Sequence, residues 1–300
     1  MSRATSPSSA KPYGLARVCR AWELSRSTIY ARRAILQLRA AGIGPQRRGP
    51  VGPCDDQTLV KTIRGILERS PFHGEGYRKV WARLRVAGIR TSKRRVLRVM
   101  REAQLTTIRR GLPADAKLHE GTIVTQRPDQ MWGTDLTMTI TTAEGRASVF
   151  AAVDHCTGEC LGIHASKEGT RFEALEPIRQ AVREYFGSYS AGVAAGLALR
   201  HDHGSVYLSD HFQDELKFLG IKSSPAFVRE PEGNGCIERF FRTLKENLLW
   251  VRDFATIEEL RLALLEFRRL YNEHWILERH GYLTPSQVRA AHATRQDQAA

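Results

Sequence analysis

Three carboxylates in the second half of the sequence stand where they could bind a hard divalent cation. Asp135 interrupts the alternating segment WGTDLTMTIT, Asp202 closes the segment LALRHD, and Glu238 opens a helical pattern. An aspartate inside a strand lowers strand propensity, and the carboxyl end of a strand is where α/β sheets place ligands. Carboxylate oxygens are the ligands that Mg²⁺ prefers. Each acid alone is also consistent with a structural role, so a shared site requires elements that bring the three together.

The stretch REPEGNGCIERFFRTLKENLLW, residues 229–250, begins as a turn and continues as an amphipathic helix. Its apolar residues recur at helical spacing and predict one buried stripe, formed by Ile237, Phe240, Phe241, Leu244 and Leu248. Glu238, Arg242 and Lys245 are spaced i, i+4 and i+7, so they share a neighbouring stripe. A structural alternative for Glu238 is a carboxylate favoured by the helix dipole and paired with Arg242.

The segments around Asp135 predict strands. WGTDLTMTIT alternates, with Trp132, Met138 and Ile140 on an apolar face and Asp135 on the other face. The nearly continuous apolar run ASVFAAV, residues 147–153, is typical of a central strand covered on both sides. ECLGIHA follows after a Thr-Gly turn, which predicts an antiparallel meander of three strands. Asp154, at the end of the second strand, is interpreted as a turn residue.

The remaining elements predict a mixed sheet flanked by helices. A helical pattern containing Phe172 and Phe186 precedes the strand LALRHD, and a second one covers HFQDELKFLG. Residues 256–273 form a long amphipathic pattern near the C-terminus. Strands grouped first and then alternating with helices indicate an α/β arrangement. Trp132 and Trp250 are interpreted as core residues.

Charge is distributed unevenly along the 300 residues. Residues 1–120 hold 26 Lys and Arg against 8 Asp and Glu, whereas residues 121–300 hold 20 against 24. Such a basic, arginine-rich front indicates a polyanionic partner, with nucleic acid preferred. A membrane partner is disfavoured because no transmembrane-length apolar run or lipidation signal is present. The opening MSRATSPSSAKP lacks the apolar stretch of a secretory signal, so we expect the chain to stay in the cytoplasm.

The five cysteines contain no CxxC pair. They are therefore predicted to be reduced thiols that do not bind structural zinc.

Two basic helical modules are predicted in the N-terminal part. GLARVCRAWELSRSTIYARR, residues 14–33, reads as two short helices around a turn, with Ser25 as the cap of the second. This pattern is typical of a helix-turn-helix whose second helix enters a major groove, although an ordinary helical hairpin is the alternative. After the breaker-rich linker GIGPQRRGPVGP, a second block of three helices runs to about residue 104, with Ser92 as a cap.

Taken together, these motifs resemble the DDE transposases of bacterial insertion sequences, which share a ribonuclease-H-like core with retroviral integrases. WGTDLT, RHDHGS and GNGCIERFFRTLKENL look like the three acidic motifs, with 35 residues between Asp202 and Glu238 and with Lys245 seven positions after the glutamate. YNEHWILERHGYLTPSQV is similar to the family's tail, and both N-terminal modules have family counterparts. His201 stands where the family commonly has serine, and no heptad zipper precedes the core.

The resemblance implies a fold class, a division of the chain and a reaction. The fold is an α/β, ribonuclease-H-like mixed sheet preceded by all-α helix-turn-helix modules. Domain boundaries are expected at 1–50 for the first module with its tail, 51–120 for the second module and linker, 121–250 for the catalytic core and 251–300 for a helical extension. The reaction is metal-dependent DNA cleavage and strand transfer at the ends of a mobile element, a DNA integration and recombination activity.

The resemblance also implies a site. Asp135, Asp202 and Glu238 would be both catalytic and metal-binding: Asp135 would bridge two Mg²⁺ ions, for which Mn²⁺ could substitute, while Asp202 and Glu238 would each hold one. The predicted DNA-binding residues are Arg26, Ser27, Thr28, Arg32, Arg94, Arg95, Arg98, Asn234, Arg242 and Lys245. Expected partners are double-stranded DNA, meaning terminal inverted repeats and target, further copies of this chain and a helix-turn-helix protein from an upstream frame. A bacterial cytoplasm with nucleoid association is implied.

Two other classes of protein share part of this pattern. A ribonuclease-H-type nuclease has the same core but typically uses four acids and has no reason for tandem helix-turn-helix modules. A non-catalytic DNA-binding regulator would keep the basic modules and lose acids. The sequence contains all three acids and both modules, which favours the transposase.

Overall fold

The structure, a computed structural model, describes residues 4–42, 54–106, 125–226 and 234–299. The chain forms two compact units, Met1–Gly52 and Pro53–Ala300. The first contains helices α1 (Gly14–Ala21) and α2 (Arg26–Ala40). Ser25 occupies the predicted N-cap position of α2, although its side chain makes no capping hydrogen bond. The two predicted helices are therefore confirmed. None of the residues of α2 is buried, so this helix contributes little core of its own.

The second unit opens with three helices that enclose a small core. These are α3 (Asp56–Arg69), α4 (Tyr77–Val86) and α5 (Lys93–Glu102). Their apolar faces meet in one cluster of Leu59, Ile63, Ile66, Val80, Leu84, Val96, Val99 and Met100. Ser92 caps α5 by accepting a hydrogen bond from the Arg95 N–H at 3.1 Å, as predicted.

A five-stranded mixed sheet forms the centre of the second unit. Strands β1 (Met131–Thr141), β2 (Gly145–Asp154) and β3 (Cys160–Ser166) make the predicted antiparallel meander. Strand β4 (Ala198–His201) pairs in parallel with β1, and β5 (Lys222–Pro225) pairs in parallel with β4. The order β3-β2-β1-β4-β5 confirms the predicted fold class. The short polar strand β5, KSSP, was not predicted.

Helices cover both faces of the sheet. One face packs against α6 (Arg171–Phe186), α7 (Ser205–Leu208) and α8 (Asp210–Leu219). The other packs against α9 (Gly235–Leu244), the π-helical turn Lys245–Leu249 and α10 (Ile257–His274). A 3₁₀ turn, Glu278–His280, leads to the C-terminal helix α11 (Pro285–Ala299). The described residues include no helix long and apolar enough to cross a membrane.

The three-helix module and the sheet share contacts within the second unit. Phe72 packs edge-on against Trp275, with ring centroids 4.8 Å apart. The His73 N–H donates to Asn247 Oδ1 at 2.8 Å, and Arg83 donates to the carbonyl of His274 at 3.2 Å. The module is therefore connected to the helices that cover the sheet by apolar and polar contacts.

Two predictions about exposure were wrong. Met138 and Ile140 are 56% and 75% exposed, although the alternation in β1 assigned them to the core. Thr137 and Thr141, on the opposite face, are buried instead. The reason lies in the packing of the helices. Helix α6 packs mainly on β2 and β3 and leaves this end of β1 uncovered. On the other face of the sheet, the segment at Phe254 is part of the core cluster. Trp132 is buried as predicted, but Trp250 is 60% exposed.

Candidate active site

Asp135 lies on β1, opposite Ala151 of β2. Its Oδ1 accepts a hydrogen bond from the N–H of Leu136 at 2.8 Å. Burial, together with the nearby carboxylates of Asp202 and Glu238, raises the pKa of Asp135 to about 6, although the hydrogen bond from Leu136 and the charge of Lys245 act in the opposite direction. The carboxylates of Asp202 and Glu238 and the ammonium group of Lys245 therefore all lie close enough to Asp135 to act on it electrostatically.

Asp202 follows β4 directly, and parallel pairing of β4 with β1 brings it towards Asp135. Its side chain is exposed, and its Oδ1 accepts a hydrogen bond from the N–H of Gly204 at 2.8 Å. The preceding His201 is buried, with Nδ1 2.7 Å from the carbonyl oxygen of Asp202 and Nε2 2.9 Å from Ser223 Oγ. Burial lowers the pKa of His201. This histidine therefore supports the backbone at Asp202 from inside the protein.

Glu238 occupies the first turn of α9 with an exposed side chain. The structural alternative of a Glu238–Arg242 pair is absent, because Arg242 Nε instead contacts Glu246 Oε1 at 3.0 Å. No cation within the described ranges forms an ion pair with Glu238. Lys245 begins the π-helical turn that follows α9, a distortion that is frequent at functional sites. The helix thus presents an uncompensated carboxylate towards Asp135.

Tyr207 is a component of this region that the sequence analysis missed. Its ring is buried and stacks on His201, with centroids 5.6 Å apart. Burial raises the pKa of Tyr207 well above its usual value, and the carboxylates of Asp135 and Asp202 add to this effect. Its position five residues after Asp202 carries no sequence signal of burial, because the ring contacts with His201 and Phe212 decide it.

The donor chemistry of the three acids fits a divalent metal. They are hard oxygen ligands, and their mutual repulsion at Asp135 is the kind that a bound cation would relieve. No group of three or more His, Cys, Asp or Glu side chains in the part of the chain described here is already close enough together to hold an ion. Asp202 and Glu238 therefore act on Asp135 electrostatically, but the three carboxylates are not already arranged as a metal-binding site.

The predicted DNA-binding residues fall into distinct environments. Arg26, Ser27, Thr28 and Arg32 are exposed on α2. On α5, Arg94 is exposed, whereas Arg95 and Arg98 contact the Asp56 carboxylate at 2.8 and 2.7 Å. These two arginines hold the pKa of Asp56 down, at about 2. Two of the three arginines predicted to bind DNA on α5 are thus already paired with a carboxylate inside the module.

Near the acids, the predicted DNA-binding residues also differ in exposure. Arg242 is exposed and Lys245 is partly buried. Asn234 is only 6% exposed, and its amide Nδ2 donates to the carbonyl of Thr134 at 3.2 Å. The Asn234 side chain therefore faces strand β1. Asp154 is a buried turn residue as predicted, since its Oδ1 accepts from the N–H and hydroxyl of Thr157.

Comparison with protein families matches three stretches of the chain. Residues 54–111 match the HTH-like domain. Residues 125–231 match the Integrase core domain, and residues 219–285 match a second family of the same description. The matched stretches contain α3 to α5, the sheet and all three acids.

Individual relatives give a consistent result. The chain is 25% identical to the transposase for insertion sequence element IS629 of Shigella sonnei over 290 residues, 93% of both chains. It is 26% identical to the transposase InsD for insertion element IS2A/D/F/H/I/K of Escherichia coli over 240 residues, 78% of each chain.

Solved structures similar to this one include retroviral proteins. The catalytic core domain of BIV integrase is 21% identical, with a TM-score of 0.43, and the match covers 56% of this chain and 98% of the integrase chain. A chain of the simian T-cell lymphotropic virus intasome is 19% identical, with a TM-score of 0.46, and the match covers 78% of this chain and 74% of that one.

The family matches and the relatives confirm the expected enzyme class, a polynucleotidyl transferase of the transposase and integrase type. The three acids expected to act in that class lie at the edge where β1, β4 and α9 meet. The chain contains an integrase core domain preceded by an HTH-like domain and is homologous to the transposases of insertion sequences.

Proposed function

We propose that this chain binds the ends of its mobile element, nicks the DNA there and joins the freed 3′-hydroxyl to a phosphodiester of target DNA. The observation that carries the proposal is the electrostatic coupling of Asp135 with Asp202 and Glu238 across three separate elements. Buried acids are normally compensated by a cation, whereas among the described residues the charge of Lys245 is the one cation that acts on Asp135 against the two neighbouring carboxylates. Such an arrangement is suited to metal-assisted phosphoryl transfer.

Each residue of the proposed site would have a distinct role. Asp135, Asp202 and Glu238 would hold two Mg²⁺ ions, which supply charge neutralisation at the phosphate and activation of the attacking oxygen. The N–H groups of Leu136 and Gly204 each orient one aspartate by binding one carboxylate oxygen. The ammonium group of Lys245 would contact the phosphate of the DNA end. Arg242 would contact DNA from the same helix.

The N-terminal modules would select the DNA. Arg26, Ser27, Thr28 and Arg32 on α2 remain our proposed base-reading residues, and α5 would supply phosphate contacts. We retain the predicted division at 1–50, 51–120, 121–250 and 251–300 as part of this proposal. Assembly of several copies on DNA, help from an upstream-frame helix-turn-helix protein and a nucleoid location also belong to it.

Purified protein with DNA carrying the element's terminal repeats tests the proposed reaction. With Mg²⁺ or Mn²⁺ we expect nicked ends and a joined strand-transfer product. With Ca²⁺ we expect binding but little chemistry, because Ca²⁺ adopts a larger and looser oxygen coordination. Sequencing the junctions identifies the joined strand. Hydrolysis without any joined product, across all end sequences tried, would favour the nuclease alternative.

The exposure of the α5 arginines predicts different effects for two neighbours. Arg94→Ala should leave the melting temperature unchanged, weaken binding to all DNA sequences and lower the salt-dependence slope by about one. Arg95→Ala should instead destabilise the module by about 1–3 kcal/mol, because it removes one of the two arginines that bind Asp56 and the donor to the carbonyl of Cys54. Thermal unfolding and binding at several salt concentrations measure both. Equal losses of stability in the two variants would contradict the assignment.

A further inference from the structure

We infer that Asn234 is a positioning residue that fixes the first turn of α9, and with it Glu238, against the backbone of β1 beside Asp135. The inference deepens the proposed function and rests on it. It assigns Asn234 an internal role in place of the DNA contact predicted from the sequence.

The first observation is the hydrogen bond between the two elements. Asn234 Nδ2 lies 3.2 Å from the carbonyl oxygen of Thr134, the residue that precedes Asp135. A carbonyl oxygen can only accept, so the NH₂ group of the amide must face it, and this fixes the orientation of the side chain. Asn234 also stands four residues, about one helical turn, before Glu238. One side chain therefore connects the backbone next to the first acid with the turn that carries the third.

The second observation is that Asn234 does not perform the usual task of its position. It is the N-cap residue of α9, and asparagine there commonly accepts a hydrogen bond from an N–H of the first turn. Here the side chain makes no capping hydrogen bond, and the backbone has φ −116° and ψ 15°. The side-chain amide is directed to β1, and the N–H groups of the first turn of α9 receive no hydrogen bond from it. Helix initiation therefore does not account for the residue.

The third observation is the space that Gly133 leaves for the amide. A Cβ atom at Gly133 would lie 3.1 Å from Asn234 Oδ1 and 2.9 Å from His155 Nε2, closer than side chains normally pack. Both polar atoms are buried and have no hydrogen-bond partner within the described residues. Burial, with the positive charges of Arg200 and Arg279, lowers the pKa of His155 to about 4. The ring is therefore neutral, and a proton on Nε2 would make it a donor facing the same small space as Oδ1.

The hydrogen bond from Asn234 to the carbonyl of Thr134 is a buried polar link between β1 and α9. An acid triad drawn from three elements needs its spacing fixed, because loosely held metal ligands bind weakly. Asp135 belongs to a strand and is fixed by the sheet, whereas Glu238 belongs to a helix for which the described residues show no backbone hydrogen bond to that strand. Asn234 provides a directional contact at this point, which the apolar stripe of α9 does not.

A comparison of two buried asparagines tests the inference. Asn272 is 8% exposed and also connects two elements, with Oδ1 and Nδ2 each 2.9 Å from the backbone of Cys160, but it is not part of the proposed site. Asn234→Ala and Asn272→Ala should both lower the melting temperature. Only Asn234→Ala should also weaken Mn²⁺ binding, by about 10- to 100-fold, the loss that is usual when a group that orients metal ligands is removed. Calorimetric titration of the full chain with Mn²⁺ measures this without relying on catalysis.

Further variants separate the possible failures. Glu238→Gln calibrates the assay, because it removes a proposed ligand. If wild-type protein binds Mn²⁺ and Glu238→Gln weakens binding while Asn234→Ala does not, the positioning role is wrong and the proposed function stands. If wild type binds no Mn²⁺, or if Glu238→Gln binds normally, the metal assignment fails and the positioning role fails with it.

Asn234→Asp serves if the alanine variant does not fold. This isosteric change places a carboxylate oxygen against the carbonyl of Thr134, so the link should break. An added negative charge alone would favour a cation. Weaker Mn²⁺ binding by this variant would therefore support displacement of the acids, and unchanged or tighter binding would overturn the inference.

Discussion

Asp202→Asn and Glu238→Gln are each expected to abolish strand transfer while leaving DNA binding intact. Each substitution removes one negative charge from the three-acid cluster and changes neither the shape of the side chain nor the basic modules. Loss of even an outer partner of a metal ligand costs about 10- to 100-fold, so loss of a ligand should reduce joining by at least about 100-fold. Joining of labelled element ends and their gel-shift affinity measure the two properties separately.

Two acids outside the cluster provide matched controls. Asp210 stands in the first turn of α8 and Glu258 in the first turn of α10, and both are exposed. Asp210→Asn and Glu258→Gln should retain joining close to the wild-type level. Substantial turnover by Asp202→Asn or Glu238→Gln, or an equal loss in the controls, would show that the metal assignment is wrong.

Asp135→Asn is expected to make the metal-free chain more stable at neutral pH while eliminating joining. Burial and the two neighbouring carboxylates raise the pKa of Asp135 to about 6, so its ionised form is unfavourable in the fold. Asparagine retains an oxygen for the N–H of Leu136 and removes the charge. The expected gain is on the order of 1–3 kcal/mol in EDTA. Thermal or urea unfolding of both proteins measures it.

The gain should depend on pH with a definite sign. The folded pKa of Asp135 lies above its ordinary value of 3.8, so the protonated carboxyl is favoured by folding. Wild-type stability from this group is complete below about pH 4 and is lost as the pH rises through about 6. The advantage of Asp135→Asn should therefore be small at pH 4 and largest above pH 6. Added Mn²⁺ should stabilise wild type and not the variant.

Asp154→Asn is the informative control for this prediction. Burial raises the pKa of Asp154 too, but both of its carboxylate oxygens accept hydrogen bonds, from the N–H groups of Asp129 and Thr157. An amide would turn its NH₂ group against one of these donors, so the variant should lose about 1–3 kcal/mol. A stability loss in Asp135→Asn of the same sign would contradict the view that Asp135 is held in an electrostatically unfavourable place.

Much of the fold followed from local patterns. The change from helical period to alternation at Trp132 predicted the meander, and the helical spacing from Ile237 to Leu244 predicted α9, because burial of one face requires these periods. The spacing of the three acids, with the motifs around them, led to the integrase core that the family comparison confirms. Strand β5 was missed because KSSP has neither apolar alternation nor β-branched residues, and its parallel pairing with β4 depends on a segment distant in the sequence.

The sequence by itself determined which segments form helices and strands, the excess of basic residues in the N-terminal part and the choice of Asp135, Asp202 and Glu238 as site residues. These features depend on residue type and on spacing along the chain. Only the tertiary structure decided which residues are engaged and which are free. Arg95 and Arg98 are bound to Asp56, Ile140 is exposed and Asn234 is buried against Thr134. Partners 39, 42 and 100 residues apart meet in these contacts. Local periodicity does not predict such long-range contacts, because they depend on how the helices and strands pack against one another.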